Sequence, residues 1–497
     1  MTESPKTSTI RSLGSFEYGA TLTNEFAPFN IVVIIRLNKL PSQSSMESAF
    51  KLLLEKHPLL SVFIDRKSKN WCFSSGKSTE IKIERRQQLH PDTGIDIVQE
   101  ELNRLIDVDR SPLLRCLAVS APKNSGELIF SAHHAIFDSA SLTSFIKEFL
   151  ELCVQPKTES TVTALQATCS SENYFPKTHR GFGFIRRLVP FVFSEMLDEL
   201  GYQWGTRKSK KLPHHPTGSC RIGFRIWSEQ ETQSIAKMAR KRGVSLCSLL
   251  NTCLLMAMHK VYHEQSKTVM RYISFQNLRP FLEPAVVDTH LGAHISMGRF
   301  SQNMVPNQNI WNLATKVQSQ IYEFGKSGNK FIANSLTKSL MTMFLKKNKI
   351  RMSCTALSFT THIPDLSPTC GDIKVEEVHG FVSNNVKGPY FTANGRISRR
   401  KKATQADQGG FLIFCSYLVL LLEDGAGEED PVVDQVSAGA HHKQGAGAMH
   451  IGKRLAQRAG HRTLEQSGTQ RHRHQNGPHP QRVADELAER TQQTLAG

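Results

Sequence analysis

The chain has 497 residues, of which 39% are hydrophobic and 21% charged. This length suggests two lobes, and this composition is typical of a soluble globular protein. The formal net charge is +18, but the basic residues form short runs that do not alternate with aromatic residues. We therefore expect solvated loop charge and no nucleic-acid partner, with an anion-binding patch as the alternative.

Two further features exclude classes of protein. The 10 cysteines are scattered without metal-ligand spacing, which is typical of reduced thiols and predicts neither a disulfide framework nor a bound metal. The longest apolar run, 411–422, is too short to span a bilayer, and the first residues lack the apolar segment of a signal peptide. We expect a cytoplasmic monomer with no membrane span.

The first part of the chain alternates strand and helix patterns. The β-branched run within 29–37 predicts a buried strand, and apolar residues at helical spacing predict a helix that ends at His57-Pro58. Further strands are predicted at 59–64, 81–83, 113–119 and 128–130, and further helices at 95–106 and 139–153. The pattern indicates an α/β lobe, over residues 1–155, in which helices pack on a sheet.

The rest of the chain divides into three parts. Residues 156–219 form a connector that contains an amphipathic helix at 182–200. Residues 220–400 form a second α/β lobe, with helices from Ser228 to Gly243, at 246–262 and through Trp311, and strands at 220–227, 269–275, 354–360 and 373–378. Residues 401–497 are an atypical tail, mostly disordered because few large apolar side chains are present to offset chain entropy.

The chemistry of the chain is concentrated where the strand at 128–130 leads into a helix. His133, His134 and Asp138 follow one another there in the pattern His-His-x-x-x-Asp. A neutral imidazole is a suitable general base for a hydroxyl or amine nucleophile, and only one of two consecutive side chains can face a given cleft. Asp138 would cap the helix or bind a distant arginine. The alternative is that both histidines are half-buried residues with satisfied hydrogen bonds and that Asp138 is only an N-cap. A zinc site is a further alternative, but the sequence has no third and fourth ligand at suitable spacing.

The pattern resembles the H-H-x-x-x-D-G signature of the acyltransferase superfamily that contains condensation domains, alcohol acetyltransferases, polyketide-associated acyltransferases and chloramphenicol acetyltransferase. Four more segments resemble motifs of this family in the same order: Glu55–Leu60, Ser111–Arg115, Gly243–Leu246, and Asn277–Pro280 followed by Leu291-Gly292. The plant-type D-F-G-W-G motif is absent from the sequence, which favours the alcohol acetyltransferase or condensation-like branches.

The resemblance implies two chloramphenicol-acetyltransferase-like lobes, each a mixed α/β (α+β) sheet flanked by helices, with a tunnel between them. It implies that His134 is the catalytic base and that His133 supports it. Asp138 would be structural and paired with Arg279 across the lobes. The reaction would move an acyl group from acyl-CoA, as co-substrate, to a small alcohol or amine, with no covalent intermediate and no permanently bound cofactor. Cofactor-binding residues stay unassigned.

Two departures from the family pattern leave alternatives open. Ser139 stands where the family has glycine and would crowd the pantetheine path. After Gly388–Phe391 the chain enters a basic run and the tail, so we expect the second lobe to be incomplete or altered by a changed reading frame. The alternatives are a donor carried by an acyl carrier protein, as in condensation domains, and a catalytically inactive fold relative. Secondary-metabolite biosynthesis is the expected context.

Overall fold

The computed structural model describes residues 8–67, 70–76, 80–155, 163–207, 220, 222, 225–263, 266–346, 355–363, 366–383, 391–398 and 411–413. The helices are α1 (Ser15–Asn24), α2 (Gln43–Lys56), α3 (Thr93–Asn103), α4 (Ser139–Val154), α5 (Gly181–Thr206), α6 (Glu229–Lys241), α7 (Leu246–His263), α8 (Ile310–Lys326) and α9 (Asn329–Lys346). The strands are β1 (Thr9–Ser12), β2 (Asn30–Leu37), β3 (Val62–Asp65), β4 (Cys72–Ser75), β5 (Ile83–Gln87), β6 (Leu114–Ser120), β7 (Gly126–His133), β8 (Arg225–Trp227), β9 (Thr268–Asn277), β10 (Ile295–Met304), β11 (Thr355–Ile363), β12 (Val375–Val382), β13 (Phe391–Ser398) and β14 (Phe411–Ile413).

Two larger sheets form the framework of the described residues. The first sheet has the order β12-β2-β7-β6-β5, and the second has the order β10-β9-β11-β13-β14-β8. Both are mixed: β5 and β6 are parallel in the first sheet, and β11 is parallel to β9 and β13 in the second. A small sheet, β1-β4-β3, completes the set. This mixed α/β architecture confirms the predicted fold class.

The first sheet owes its position to apolar residues on β2, β7 and the helices that cover them. Every residue of β7 is buried, and all of β2 is buried except Arg36, which is half-buried. Phe149 on α4 packs against Phe50 of α2 and Phe130 of β7, at ring-centroid distances of 4.5 and 5.5 Å. Burying apolar surface of this size is the main driving force for assembling such layers. The core therefore holds β7 and α4, which flank the histidine cluster, in fixed relation.

Local signals in the second half match the structure closely. The Ser228 hydroxyl accepts from the Glu231 amide while the Glu231 carboxylate accepts from the Ser228 amide, which is the predicted capping box. Gly243 has φ of 67° directly after α6, where a left-handed residue ends a helix. Ser245 accepts from the Ser248 amide and begins α7. These predictions are confirmed. They could be made from the sequence because the hydrogen bonds that they involve join residues close together in the chain.

Other parts of the chain differ from the sequence-based expectation. The strand expected at 373–378 is β12, but it pairs antiparallel with β2 and so belongs to the first sheet. Residues 58–61 form a short turn of helix before β3. Helices α1 and α9 were not predicted, and they pack against each other.

The four-part division of the chain stays a prediction. Of the predicted tail, the structure describes residues 411–413, which form a strand between β13 and β8. The rest of 401–497, and the suspected altered end of the second lobe, lie outside the described residues.

Candidate functional site

The histidine cluster lies where the central strand β7 of the first sheet ends. The His133 amide donates to the Leu113 carbonyl at 3.0 Å, and the His134 amide donates to the Phe29 carbonyl at 3.1 Å, so the two residues are tied to opposite neighbouring segments. Consecutive side chains of an extended chain point to opposite sides. The two imidazoles therefore have different surroundings, as the sequence predicts.

The His134 ring is held in one tautomer. Its Nδ1 lies 2.8 Å from the Phe137 carbonyl oxygen, and because a carbonyl can only accept, Nδ1 must carry the hydrogen. The lone pair of the neutral ring is then on Nε2. Phe29 stacks on the imidazole at a centroid distance of 5.3 Å, and Phe16 meets it edge-on at 5.5 Å. These contacts fix both the ring plane and the position of Nε2.

The environment of His134 keeps the ring neutral. Burial lowers the pKa of His134 below its ordinary value, and the Phe137 carbonyl and the Asp138 charge offset only part of that effect. A base must be unprotonated to accept a proton, so a lowered pKa favours the competent, neutral form of His134 at neutral pH. The arrangement can therefore accept a proton at Nε2.

His133 is turned into the core. It is fully buried, and its Nδ1 accepts from the Ala135 amide at 3.2 Å. Burial, helped by the neighbouring His134, lowers the pKa of His133 to about 3, so the ring is neutral. Its Nε2 has no hydrogen-bond partner among the described residues. His133 therefore shapes the turn after β7 from the buried side.

Asp138 begins α4 and both of its carboxylate oxygens are engaged. Oδ1 accepts from the amide and the hydroxyl of Ser141, each at 2.8 Å. Oδ2 accepts from Nε of Arg279 and from the His294 amide, each at 3.1 Å. Although burial opposes ionisation, these donors lower the pKa of Asp138 to about 2. An ionised carboxylate with this set of donors is suited to hold structure and is a poor proton relay.

Arg279 connects the segment after β9 to the start of α4. Its side chain is 2% exposed. In addition to the contact with Asp138, it donates to the Val287 carbonyl at 2.8 Å and to the Gly292 carbonyl at 3.1 Å. The ion pair expected from the family resemblance is present in the structure. The roles assigned to His134, His133, Asp138 and Arg279 stay predictions.

The loop after Arg279 completes the junction and contains residues that sequence reasoning missed. Gly292 forms a parallel β-bridge with Phe137 and has φ of 141°, which favours glycine. A Cβ at this position would lie 2.8 Å from Nε2 of His294. His294 itself is buried, and its Nδ1 contacts the Ser171 hydroxyl at 2.9 Å. Phe16 and Phe29, the two aromatic residues that contact the His134 ring, were also missed, because they lie far from the histidines in the sequence.

The described residues contain no group of three or more His, Cys, Asp or Glu side chains placed to hold a metal ion. None of their helices is long and apolar enough to cross a bilayer.

Two family models match the chain in tandem. The condensation-domain model matches residues 21–174. The model of the phthiocerol/phthiodiolone dimycocerosyl transferase C-terminus matches residues 221–417. Bacitracin synthase 2 of Bacillus licheniformis is 24% identical over 131 residues, which are 25% of this chain and 5% of that protein. The chain thus corresponds to a small fraction of this curated relative.

Solved structures share the fold at low identity. Trichothecene 15-O-acetyltransferase TRI3 of Fusarium sporotrichioides superposes with a TM-score of 0.62 at 12% identity, over 81% of this chain and 90% of that one. Polyketide synthase associated protein 5 of Mycobacterium tuberculosis gives 0.56 at 15% identity, over 87% and 98%. The first condensation domain of the calcium-dependent antibiotic synthetase gives 0.55 at 12% identity, over 86% and 97%.

The mixed sheets and the family matches define a condensation-domain-like fold. Residues 21–174 thus match a condensation domain and residues 221–417 match the C-terminal part of a PapA-type acyltransferase.

Proposed function

We propose that the chain transfers an acyl group from acyl-CoA to the hydroxyl, or amine, of a small acceptor in secondary metabolism, with His134 as the general base. The observation that carries the proposal is the His134 ring, whose Nδ1 hydrogen is committed to the Phe137 carbonyl and whose pKa is lowered by burial. A base in this state needs no partner residue to become active. Cys72, Cys116 and Cys169 are free thiols, which supports action in the reducing cytoplasm.

The reaction balances with His134 as the single proton carrier. The acceptor hydroxyl gives its proton to Nε2 while its oxygen bonds to the thioester carbonyl carbon. The tetrahedral intermediate then collapses, the carbon–sulfur bond breaks, and the leaving thiolate takes the proton back from Nε2. The acyl group never bonds to the protein. Holding both substrates at one site supplies much of the rate, as it does in other direct transfers.

The other predicted site residues would act by positioning. Asp138 and Arg279 hold the start of α4 against the loop that contains Gly292, and Phe137 in that junction supplies the carbonyl that orients His134. His133 would hold the turn after β7 by accepting the hydrogen bond from the Ala135 amide. In this role Asp138 stays ionised throughout the cycle, because its pKa of about 2 lies far below working pH.

A thiol-release assay with a panel of acyl-CoA donors and mixed alcohols tests the proposal. His134→Ala should lower turnover by about 100-fold or more, the usual contribution of a general base. His90→Ala is the matched control, because His90 is a surface residue paired with Asp96 outside the site. Unchanged turnover in His134→Ala, with the control also unchanged, would show that His134 is not the base.

A carrier-bound donor is the second candidate, favoured by the condensation-domain match over residues 21–174. Coenzyme A has phosphates that a carrier-tethered phosphopantetheine lacks. Free coenzyme A should therefore raise the melting temperature if it is the natural donor. Turnover with an acylated carrier protein and none with acyl-CoA would select the carrier instead.

An inactive fold relative is the third possibility, and Ser139 in place of the family glycine favours it. Ser139 is exposed at the first turn of α4, directly after Asp138. Absence of turnover with both donor types, in a folded protein, would favour this reading over either enzyme.

A further inference from the structure

Helix α5 presents an apolar face to solvent. Ile185, Val189, Phe193, Met196, Leu200 and Trp204 follow one another at spacings of three or four residues, so they share one side of the helix. Each of these side chains, called the α5 stripe below, is between 50 and 74% exposed. Surface helices of globular proteins normally turn such a face toward the core. The α5 stripe is thus reversed relative to the usual arrangement.

The reversal has a visible cause on the inner side of the helix. Arg271 on β9 is fully buried and binds Asp198 at 2.8 Å and Glu199 at 2.7 Å. Arg299 on β10 binds Glu195 at 3.0 Å. These ion pairs fix the acidic side of α5 against the second sheet. The acidic side chains of α5 therefore face the second sheet, where arginines neutralise them, and the α5 stripe faces solvent.

The charges that flank the stripe are basic at both ends. Arg186 and Arg187 are exposed near the start of the helix. Arg207 follows its last turn and lies over the Trp204 ring, 4.9 Å from the centroid. The outer side of α5 thus combines apolar side chains with positive ends, a combination that suits an amphipathic helix lying in the interface of a membrane.

We infer that α5 docks the protein on an anionic lipid surface, with the stripe in the headgroup–acyl boundary and the basic ends on the headgroups. Pairing with α5 of a second copy is disfavoured. Because both ends are basic, a parallel or an antiparallel pair brings like charges together. Trp204 beside Arg207 suits the boundary, since an indole has an apolar body and a polar N–H. This inference is independent of the proposed reaction.

Flotation of the full chain with vesicles tests the inference. The protein should float with vesicles of equal parts phosphatidylcholine and phosphatidylserine, and Phe193→Ser/Leu200→Ser should weaken binding by at least about tenfold because apolar area is lost. Leu89→Ser/Leu105→Ser is the matched control, since it removes two exposed leucines elsewhere, 84 and 54% exposed. Arg186→Gln/Arg187→Gln should weaken binding by about fivefold per charge, on anionic vesicles only.

The Trp204 side chain provides a second readout that does not depend on the serine variants. Its emission should shift to shorter wavelength when anionic vesicles are added, and the shift should disappear in Trp204→Phe. The inference is wrong if the wild-type chain does not float, or if the stripe variant floats as well as the leucine control. It is also wrong if the wild-type chain is dimeric in sedimentation and the stripe variant is monomeric.

Discussion

Arg279 reaches into the site and holds the buried carboxylate of Asp138 at the start of α4. We predict that Arg279→Met destabilises the protein by about 3–5 kcal/mol, because it leaves that carboxylate buried without its counter-charge. Asp138→Asn should cost a similar amount, since it leaves a guanidinium that is 2% exposed facing a neutral amide. Asparagine is still a good N-cap, so loss of the cap contributes little to this value.

The lowered pKa of Asp138 gives a separate measure of how strongly its surroundings stabilise the charged carboxylate. A carboxyl group whose pKa falls from 3.8 to about 2 on folding contributes roughly 2 kcal/mol of stability at neutral pH. Because the folded pKa is the lower one, this contribution is complete above about pH 4 and is lost as pH falls toward 2. The difference in unfolding free energy between the wild type and the double variant Asp138→Asn/Arg279→Met should therefore narrow as the pH falls from about 4 to about 2.

The wild type, the two single variants and the double variant form a double-mutant cycle. Urea unfolding of these four proteins, followed by far-UV circular dichroism and by tryptophan fluorescence, measures the coupling energy between Asp138 and Arg279. The double variant Asp138→Asn/Arg279→Met buries neither charge, so it should lose less stability than either single variant, and the coupling energy should be at least about 2 kcal/mol. Additive losses would refute the reasoning, because they would mean that the two side chains do not stabilise each other. The two probes must give the same transition for the free energies to be comparable.

Three further predictions concern the site. The kcat/KM for thiol release should rise with pH through an apparent pKa below about 6.5 and then level off, because His134 must be unprotonated and burial lowers its pKa; a midpoint above that value would contradict this assignment. Gly292→Ala should lower the melting temperature, with a loss of about 1–3 kcal/mol, since φ is 141° and the new Cβ would lie 2.8 Å from His294 Nε2. Gly201→Ala is its control, has no atom within 4 Å of the new Cβ and should be neutral or stabilising. Ser139→Gly should lower the KM for acyl-CoA if Ser139 crowds the donor path, and an unchanged KM would remove that explanation.

The sequence by itself determined the parts of the site that are local in the chain. The strand that leads into the cluster and the cap of α4 were predicted, and the cap rests on a contact three residues apart, between Asp138 and Ser141. Spacing encodes such contacts directly, because few backbone conformations satisfy them. The same reasoning located the capping box at Ser228 and the helix end at Gly243.

Residue spacing left the long-range partner of Asp138 open, as a distant arginine. Family resemblance supplied Arg279, 141 positions away, and the structure places the two in contact. The His294 amide, which binds the same carboxylate, was found only in the structure. No periodicity reports such pairs, because they depend on how separate elements pack.

The tertiary structure also decided the placement of two whole elements. The pattern at 373–378 predicts a strand but does not say that β12 pairs with β2, because either sheet can accept the same alternation. The apolar spacing of α5 predicts an amphipathic helix, and alone it would turn the stripe inward. Arg271 and Arg299 on the second sheet reverse that choice by binding the acidic side of the helix. Burying these charges unpaired would cost more than exposing the apolar stripe.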